Sequence, residues 1–523
     1  MKGNGMRQSM AWIHGWLGLL AGWILFAMFV TGTASYFRPE ITRWMQPEYR
    51  PHPVSQTEAA RSAVAWLQKN APHDEQWTIY LPTERTLATR AFTRARPNPD
   101  PKAPRSPRRP EVRLDPATGV PVEARDTKGG EFFYRFHFQL QLPHPWGRWL
   151  AGLCAMFMLG AILSGVITHK RIFADFFMLR WNKGQRSWLD AHNVSAVLAL
   201  PYHAMITYTG LITLVVMYMP WPILANYAKP TTFAESLYGD TANPRASGQP
   251  GQLADMARFV EAASAEWQGG RVSRIIVGNP DDAASTVTLL RSSDDQLNAR
   301  GASITYAGVS GERLGGSPAP GPAVETAGVM LGLHLGWFAG PLLRWLCFLL
   351  GLTGSAMVAT GLVLWTVKRK RPGAQPFFGM SLVERLNIGA IACLPAGMAA
   401  FLLANRSLSP TLAGRADLEV SIVFWTWFGL AALSLLRPVR RAWIETLAIS
   451  ALLFAAVPIV DMATTGGIRF EGLFLAFDAT MILLAAMLGF AAWRLAARPA
   501  RLPQPRRRAS VTVPEVREVL DVA

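Results

Sequence analysis

The chain has 523 residues, half of them hydrophobic, with 19 Trp and a net charge of +17. Recurrent apolar runs of about 20 residues with almost no charge exclude an ordinary soluble globular protein and read as membrane spans. The positive charge does not point to nucleic acid, because the basic residues cluster beside those runs, where anionic lipid and insertion topology account for them.

Eight spans are predicted, at 11–36, 148–168, 191–217, 342–366, 384–404, 420–436, 441–460 and 473–495. The first apolar run is too long for a signal-peptide core and has no convincing cleavage site, so it is read as a retained span. The connection 169–190 holds Lys170, Arg171, Arg180, Lys183 and Arg186. "KRKR" follows at 368–371, then Arg437, Arg440 and Arg441, and then "RRR" at 506–508. The opposite short loops, 405–419 and 461–472, carry only Arg406, Arg415 and Arg469, mixed with acids. The positive-inside rule then places both termini in the cytoplasm.

The resulting order is a first span (1–37), an outer module (38–147), spans two and three with their loop (148–217), a second outer module (218–333), span four (334–371), a four-span region (372–498) and a basic cytoplasmic tail (499–523). The expected fold is a mainly α polytopic membrane protein with two α+β modules on the outer side. In the first module "SQTEAARSAVAWLQKN" has helical spacing, and "VRLDPATGVPVEA" has strand–turn–strand chemistry. In the second, "GQLADMARFVEAASAEW" is the helix and "ASITYAGVSGERLG" the closing hairpin. "RARPNPDPKAPRSPRRP" is Pro-rich and basic with no means of packing, and reads as a mobile hairpin tip.

An internal repeat extends into the membrane. Span one has His14 followed by Thr31-Gly32, and span three has His192 followed by Thr209-Gly210, at the same separation. Span two begins Arg148-Trp149-Leu150 and contains Gly165; span four begins Arg344-Trp345-Leu346 and contains Gly361. Upstream of those triplets sit His137 and His334. The first 370 residues thus read as a tandem duplication, which the last four spans do not share.

The cysteines, Cys154, Cys347 and Cys393, lie in apolar runs without CxxC spacing, so they read as small buried hydrophobes. The histidines are more informative. His52 and His73 fall in the first module, whereas His14, His137, His144, His169, His192, His203 and His334 lie in spans or near their ends. His192 and His203 are eleven residues apart, about three helical turns, which on one straight helix puts both on one face at two depths. Each of these histidines alone can be a hydrogen-bonding or snorkelling residue. A proton path usually needs buried carboxylates as well, and Asp478 is the clearest one here. Imidazoles from separate helices around an apolar slot are what b-type haem requires. The repeat makes His14 equivalent to His192 and His137 to His334, while His169 faces Trp365 and His203 faces Leu25 in the alignment of halves. Spacing alone leaves the pairing open.

"WIHGWLGLLAGW…TG", "SGVITHKRIFADFF…RSWLDAHNVSAVLALPYHAMITYTGL" and "LHLGWFAGPLLRWLCFLLGLTGSAMVATGLVLWTVKRK" resemble the PepSY-associated transmembrane helix family, over residues 8 to 372. That family includes iron-regulated inner-membrane proteins and ferric-siderophore reductases. The resemblance implies PepSY-like outer modules, two haem b groups, and His14, His137, His169, His192, His203 and His334 at the motif histidines, with His144 a weaker candidate. It also implies reduction of a periplasmic ferric siderophore. No G-x-G-x-x-G follows a strand and opens a helix, so a separate cytoplasmic or membrane electron donor is implied. Two other functions are compatible with the sequence: a transporter of a siderophore or metal chelate, and a PepSY-based sensor or scaffold without redox activity.

Overall fold

The computed structural model describes residues 5–50, 52–96, 109–169, 178–227, 232–233, 245–317, 319–370, 378–467 and 469–498. The segment expected to be a hairpin tip lies mostly outside them, as does the basic tail.

Among the described residues, seven helices are long and apolar enough to cross a membrane: Met6–Ser35, Trp146–Thr168, Pro341–Arg369, Gly379–Ser407, Arg415–Leu435, Val439–Thr465 and Gly472–Ala496. The third expected span is a broken pair, Gln185–Leu198 and Leu200–Thr213, bent by 67°. The break corrects the expectation that His192 and His203 stand on one straight helix, although both rings still meet the helix Pro341–Arg369, at Gly361 and Gly354. Pro201 stands in the first turn of the second half. It has no N–H to donate, and its ring excludes the carbonyl of the preceding turn, so the first half ends before Ala199 and the helix restarts at Leu200. We refer to the spans as one to eight, counting the broken pair as span three.

Spans one to four form the duplicated half. Span one packs on spans two and four, and span four packs on the first half of span three. Two shorter helices come from the ends of the outer segments. Gly129–Gln139 lies against span one, and Pro322–Leu335 lies against the second half of span three. The hydropathy pattern hides both because neither is long enough to cross the bilayer.

The two outer modules share one antiparallel sheet. Strands β1 (Gln76–Tyr80), β2 (Thr89–Arg94) and β3 (Val112–Leu114) belong to the first. Strands β4 (Val272–Gly278), β5 (Thr286–Arg291), β6 (Ser303–Ala307) and β7 (Arg313–Gly316) belong to the second. The order is β3-β2-β1-β4-β5-β6-β7, so the first strand of each repeat meets its equivalent at the centre. Helix Gln56–Asn70 opens with a Ser55/Glu58 capping box, and Met256–Glu266 with Asp255 accepting from the Ala257 N–H. These helices pack on each other over one sheet face, burying Ala59, Leu67, Trp77, Phe259, Ile275 and Val277. Alternation turns Gln76, Thr78 and Tyr80 to the other face, which looks toward the spans.

The last four spans are latched to the duplicated half through buried polar groups on the sheet side. Arg415 and Glu419, both fully buried, pair within span six. Glu419 also accepts from Asn405 Nδ2 at 2.8 Å and from the Thr127 hydroxyl, while Arg415 reaches the Asp126 carbonyl at 3.0 Å. Arg406 bonds Asp461 and the Trp44 carbonyl. Removing one partner of such a pair strands the other, at a cost of about 3–5 kcal/mol. Glu419→Ala should therefore lower the unfolding midpoint in detergent sharply, and Arg415→Met/Glu419→Leu should recover most of the loss.

Candidate functional site

The structure brings four of the histidines into two pairs. The ring centres of His14 (span one) and His192 (span three) lie 6.0 Å apart. Those of His137 and His334, on the two short helices, also lie 6.0 Å apart. A metal bound about 2 Å from a nitrogen of each ring would hold two ring centres roughly 6 Å apart. The pairs sit at different depths: His14 and the Gly32 that touches His137 are eighteen residues apart on span one, a rise of about 27 Å. That nearly matches the hydrocarbon thickness of about 30 Å.

Each of the four rings is fixed in the same way. His14 Nδ1 donates to the Ala161 carbonyl at 2.8 Å, His192 Nδ1 to Met357 at 2.9 Å, His137 Nδ1 to Met28 at 2.8 Å and His334 Nδ1 to Ile206 at 3.0 Å. A carbonyl only accepts, so the proton sits on Nδ1 and Nε2 keeps its lone pair for a metal. In every case the residue four positions after that carbonyl is a glycine: Gly165, Gly361, Gly32 and Gly210. A helical side chain covers the turn before it, and here that cover is missing. A Cβ at Gly32 would stand 2.6 Å from His137 Nδ1, and one at Gly210 2.8 Å from His334 Cε1. At Gly165 and Gly361 it would stand 3.1 Å from His14 and His192. The repeated glycines are thus the seats of the imidazoles.

The other candidates are not brought to a second histidine. His203 is fully buried between the two levels, against Phe29 and with the Thr353 hydroxyl 3.5 Å from its Nε2. His169 caps span two, its Nε2 accepting from Asn193 Nδ2 at 3.0 Å. His144 is exposed on the sheet side. His52 and His73 are 82% and 84% exposed, beside Asp115 and Asp281. Asp190 does not touch the His192 ring; it binds Arg180 through both oxygens and anchors the preceding loop.

Among the described residues no cluster of three or more His, Cys, Asp or Glu could hold a metal ion. Two opposed imidazoles suit instead a metal whose other ligands come from a planar macrocycle, as in bis-histidine haem. The donor chemistry, the spacing and the glycine seats all fit that group. A cavity of about 490 Å³ extends from His137 and His334 to the underside of the sheet at Tyr80, Arg90 and Arg274.

The match to known proteins follows the same boundaries. The model of the PepSY-associated TM region matches residues 11–368, which is the duplicated half with its sheet. The chain belongs to this family. Spans five to eight lie beyond the PepSY-associated region. An uncharacterized protein of Pseudomonas aeruginosa is similar, 28% identical over 383 residues that cover 68% of this chain and 93% of the relative. The chain is thus a multi-pass membrane protein of the PepSY-associated family.

Sequence reasoning missed the carbonyl partners and the role of the glycines, although the glycines were visible as repeat positions.

Proposed function

We propose that this protein is an inner-membrane haem reductase that passes electrons across the bilayer to a ferric siderophore in the periplasm, releasing Fe(II) for iron acquisition. The observation that supports it most is the two histidine pairs at two depths, each ring tied through Nδ1 with Nε2 left for a metal. Haem b, when bound, supplies reversible one-electron Fe(III)/Fe(II) chemistry. His14 with His192, and His137 with His334, would hold it through their free Nε2 atoms. The carbonyls of Ala161, Met357, Met28 and Ile206 fix ring orientation and raise ligand basicity, as outer partners of metal-bound histidines do. Phe26, Phe136, Met158 and Val358 lie in the surrounding apolar core and keep the interior dry. The cavity under the sheet lets a chelate come close to the outer pair. Fe(II) carries less charge than Fe(III) and binds hard oxygen ligands more weakly, so one electron suffices for release. The basic short loops favour a cytoplasmic side for both termini, and a separate donor there or in the membrane supplies the electrons.

The test is a liposome with a reductant inside and a ferric siderophore plus a coloured Fe(II) chelator outside. Colour should form only when the protein is present and haem-loaded. Colour no faster than in protein-free liposomes, with labelled siderophore accumulating inside, would favour a transporter instead. His203→Ala and His169→Ala should each keep two haems per chain, because neither ring meets a second histidine. A haem count falling to one in either variant would show that its ring is a ligand.

A further inference from the structure

The membrane-facing side of the sheet holds a charged cluster that the histidine pairs do not use. Tyr80, the last residue of β1, is the register partner of Arg90 on β2 and of Arg274 on β4. Cross-strand partners share a face, so the three side chains stand together. The Arg90 guanidinium lies 4.7 Å from the Tyr80 ring centre and that of Arg274 5.5 Å. Arg274 also donates to the Tyr80 hydroxyl at 3.2 Å. Stacking on an aromatic face orients a guanidinium without neutralising it.

Among the described residues no carboxylate forms an ion pair with Arg274, and Arg90 has only a long one. The nearest to Arg90 is Glu111, at 3.8 Å, and Arg90 Nε is buried without a hydrogen-bond partner. Arg85, on the same cavity, is by contrast satisfied by Glu40 at 2.7 and 2.8 Å and by the Tyr36 carbonyl at 2.7 Å. Arg38 pairs with Glu131 at 3.4 Å. Among the described residues, Asp294 is the only carboxylate lining the cavity. Burial pushes its carboxyl above the usual range, which weakens it as a counter-charge.

We propose that Arg90 and Arg274, oriented by Tyr80, form an anion clamp that selects ferric chelates bearing ionised carboxylates and holds them above the outer histidine pair. This rests on the reductase reading. In the reaction the chelated Fe(III) takes one electron from the reduced protein and becomes Fe(II). No proton moves, and the carboxylates stay with the arginines. A planar guanidinium binds a carboxylate through two parallel N–H groups, so two of them discriminate strongly against a neutral chelate of the same metal. Haem propionates carry the same carboxylate chemistry, and the experiment separates the two sources.

The probe is gallium(III), which has the charge of Fe(III) and takes no electron, as its citrate and as its neutral tris-acetohydroxamate. Binding is measured by calorimetry on the full-length, haem-loaded protein. The wild type should bind the citrate at least tenfold tighter, with the preference shrinking as salt rises. In Arg90→Gln/Arg274→Gln the preference should fall to within twofold, and Arg90→Lys/Arg274→Lys should recover part of it. An unchanged elution profile and unfolding midpoint would show that the variants fold. Equal affinities in the wild type, or a preference that survives in the glutamine variant, would overturn the proposal. A glutamine variant that keeps the preference but loses haem or shifts its potential would assign the arginines to the propionates. Gallium binding needs no electron transfer, so it stays readable even if the reductase reading fails.

Discussion

Replacing His192 by alanine is expected to lower the haem content from two per chain to one and to slow outward iron reduction by more than about 100-fold. The ring is one half of a pair with centres 6.0 Å apart, and nothing else on its element can substitute for it. His203, the other histidine of span three, meets span four at Gly354, seven residues along that helix from the Gly361 that His192 touches, and so stands at another depth. His14→Ala should give the same loss, and the double variant should lose no more than either single one, because the two rings act as a unit. His137→Ala and His334→Ala should remove the other haem and spare the first. The measurement is haem per chain by absorbance of the extracted pigment, alongside Fe(II) release from liposomes. A His192→Ala protein with two haems would show that this pair is not a ligand pair.

A second large effect is expected from a single methyl group. In Gly32→Ala the new Cβ would lie 2.6 Å from His137 Nδ1, a distance no carbon tolerates, so the ring must leave the Met28 carbonyl. Losing such an outer partner typically weakens metal binding by about 10–100-fold. The outer haem should therefore be lost on dilution or gel filtration, and retained haem should show an altered potential. Gly210→Ala, with its contact at 2.8 Å, should behave alike at His334. Gly165→Ala and Gly361→Ala, at 3.1 Å, should be milder. Gly18→Ala is the control: it lies on the same helix as Gly32 with nothing within 4 Å, and should leave haem untouched. The comparison separates a general cost of altering a membrane helix from the specific seating of an imidazole.

Much of this architecture could be read from residue patterns because the bilayer restricts what a long apolar run can do. All eight spans lie where apolar runs place them, the third as a bent pair, and the module helices and closing hairpin follow their periodicity and caps. The repeat made His14 equivalent to His192 and His137 to His334, and these equivalents face each other across the pseudo-symmetric interface. What stayed hidden depends on tertiary contact. Helices Gly129–Gln139 and Pro322–Leu335 are too short to stand out from the outer segments, so their packing against the spans, which brings His137 to His334, could not be read. The bend at Pro201 broke the straight helix inferred for His192 and His203, although both rings still meet span four, at Gly361 and Gly354. The merger of the two modules depends on β1 and β4 pairing across almost two hundred residues, which local pattern does not encode. One signal was available and unused: a glycine repeated at four equivalent sites in apolar helices marks a close approach, and the approaching group is the imidazole.

The most direct test of the central claim is a reduced-minus-oxidised spectrum of the purified full-length protein, with haem quantified per chain. Two opposed, Nδ1-tethered histidine pairs should give a low-spin b-type spectrum with a sharp Soret band and split α and β bands, at two haems per chain. A protein expressed with ample haem that purifies folded yet shows no such bands would contradict the account.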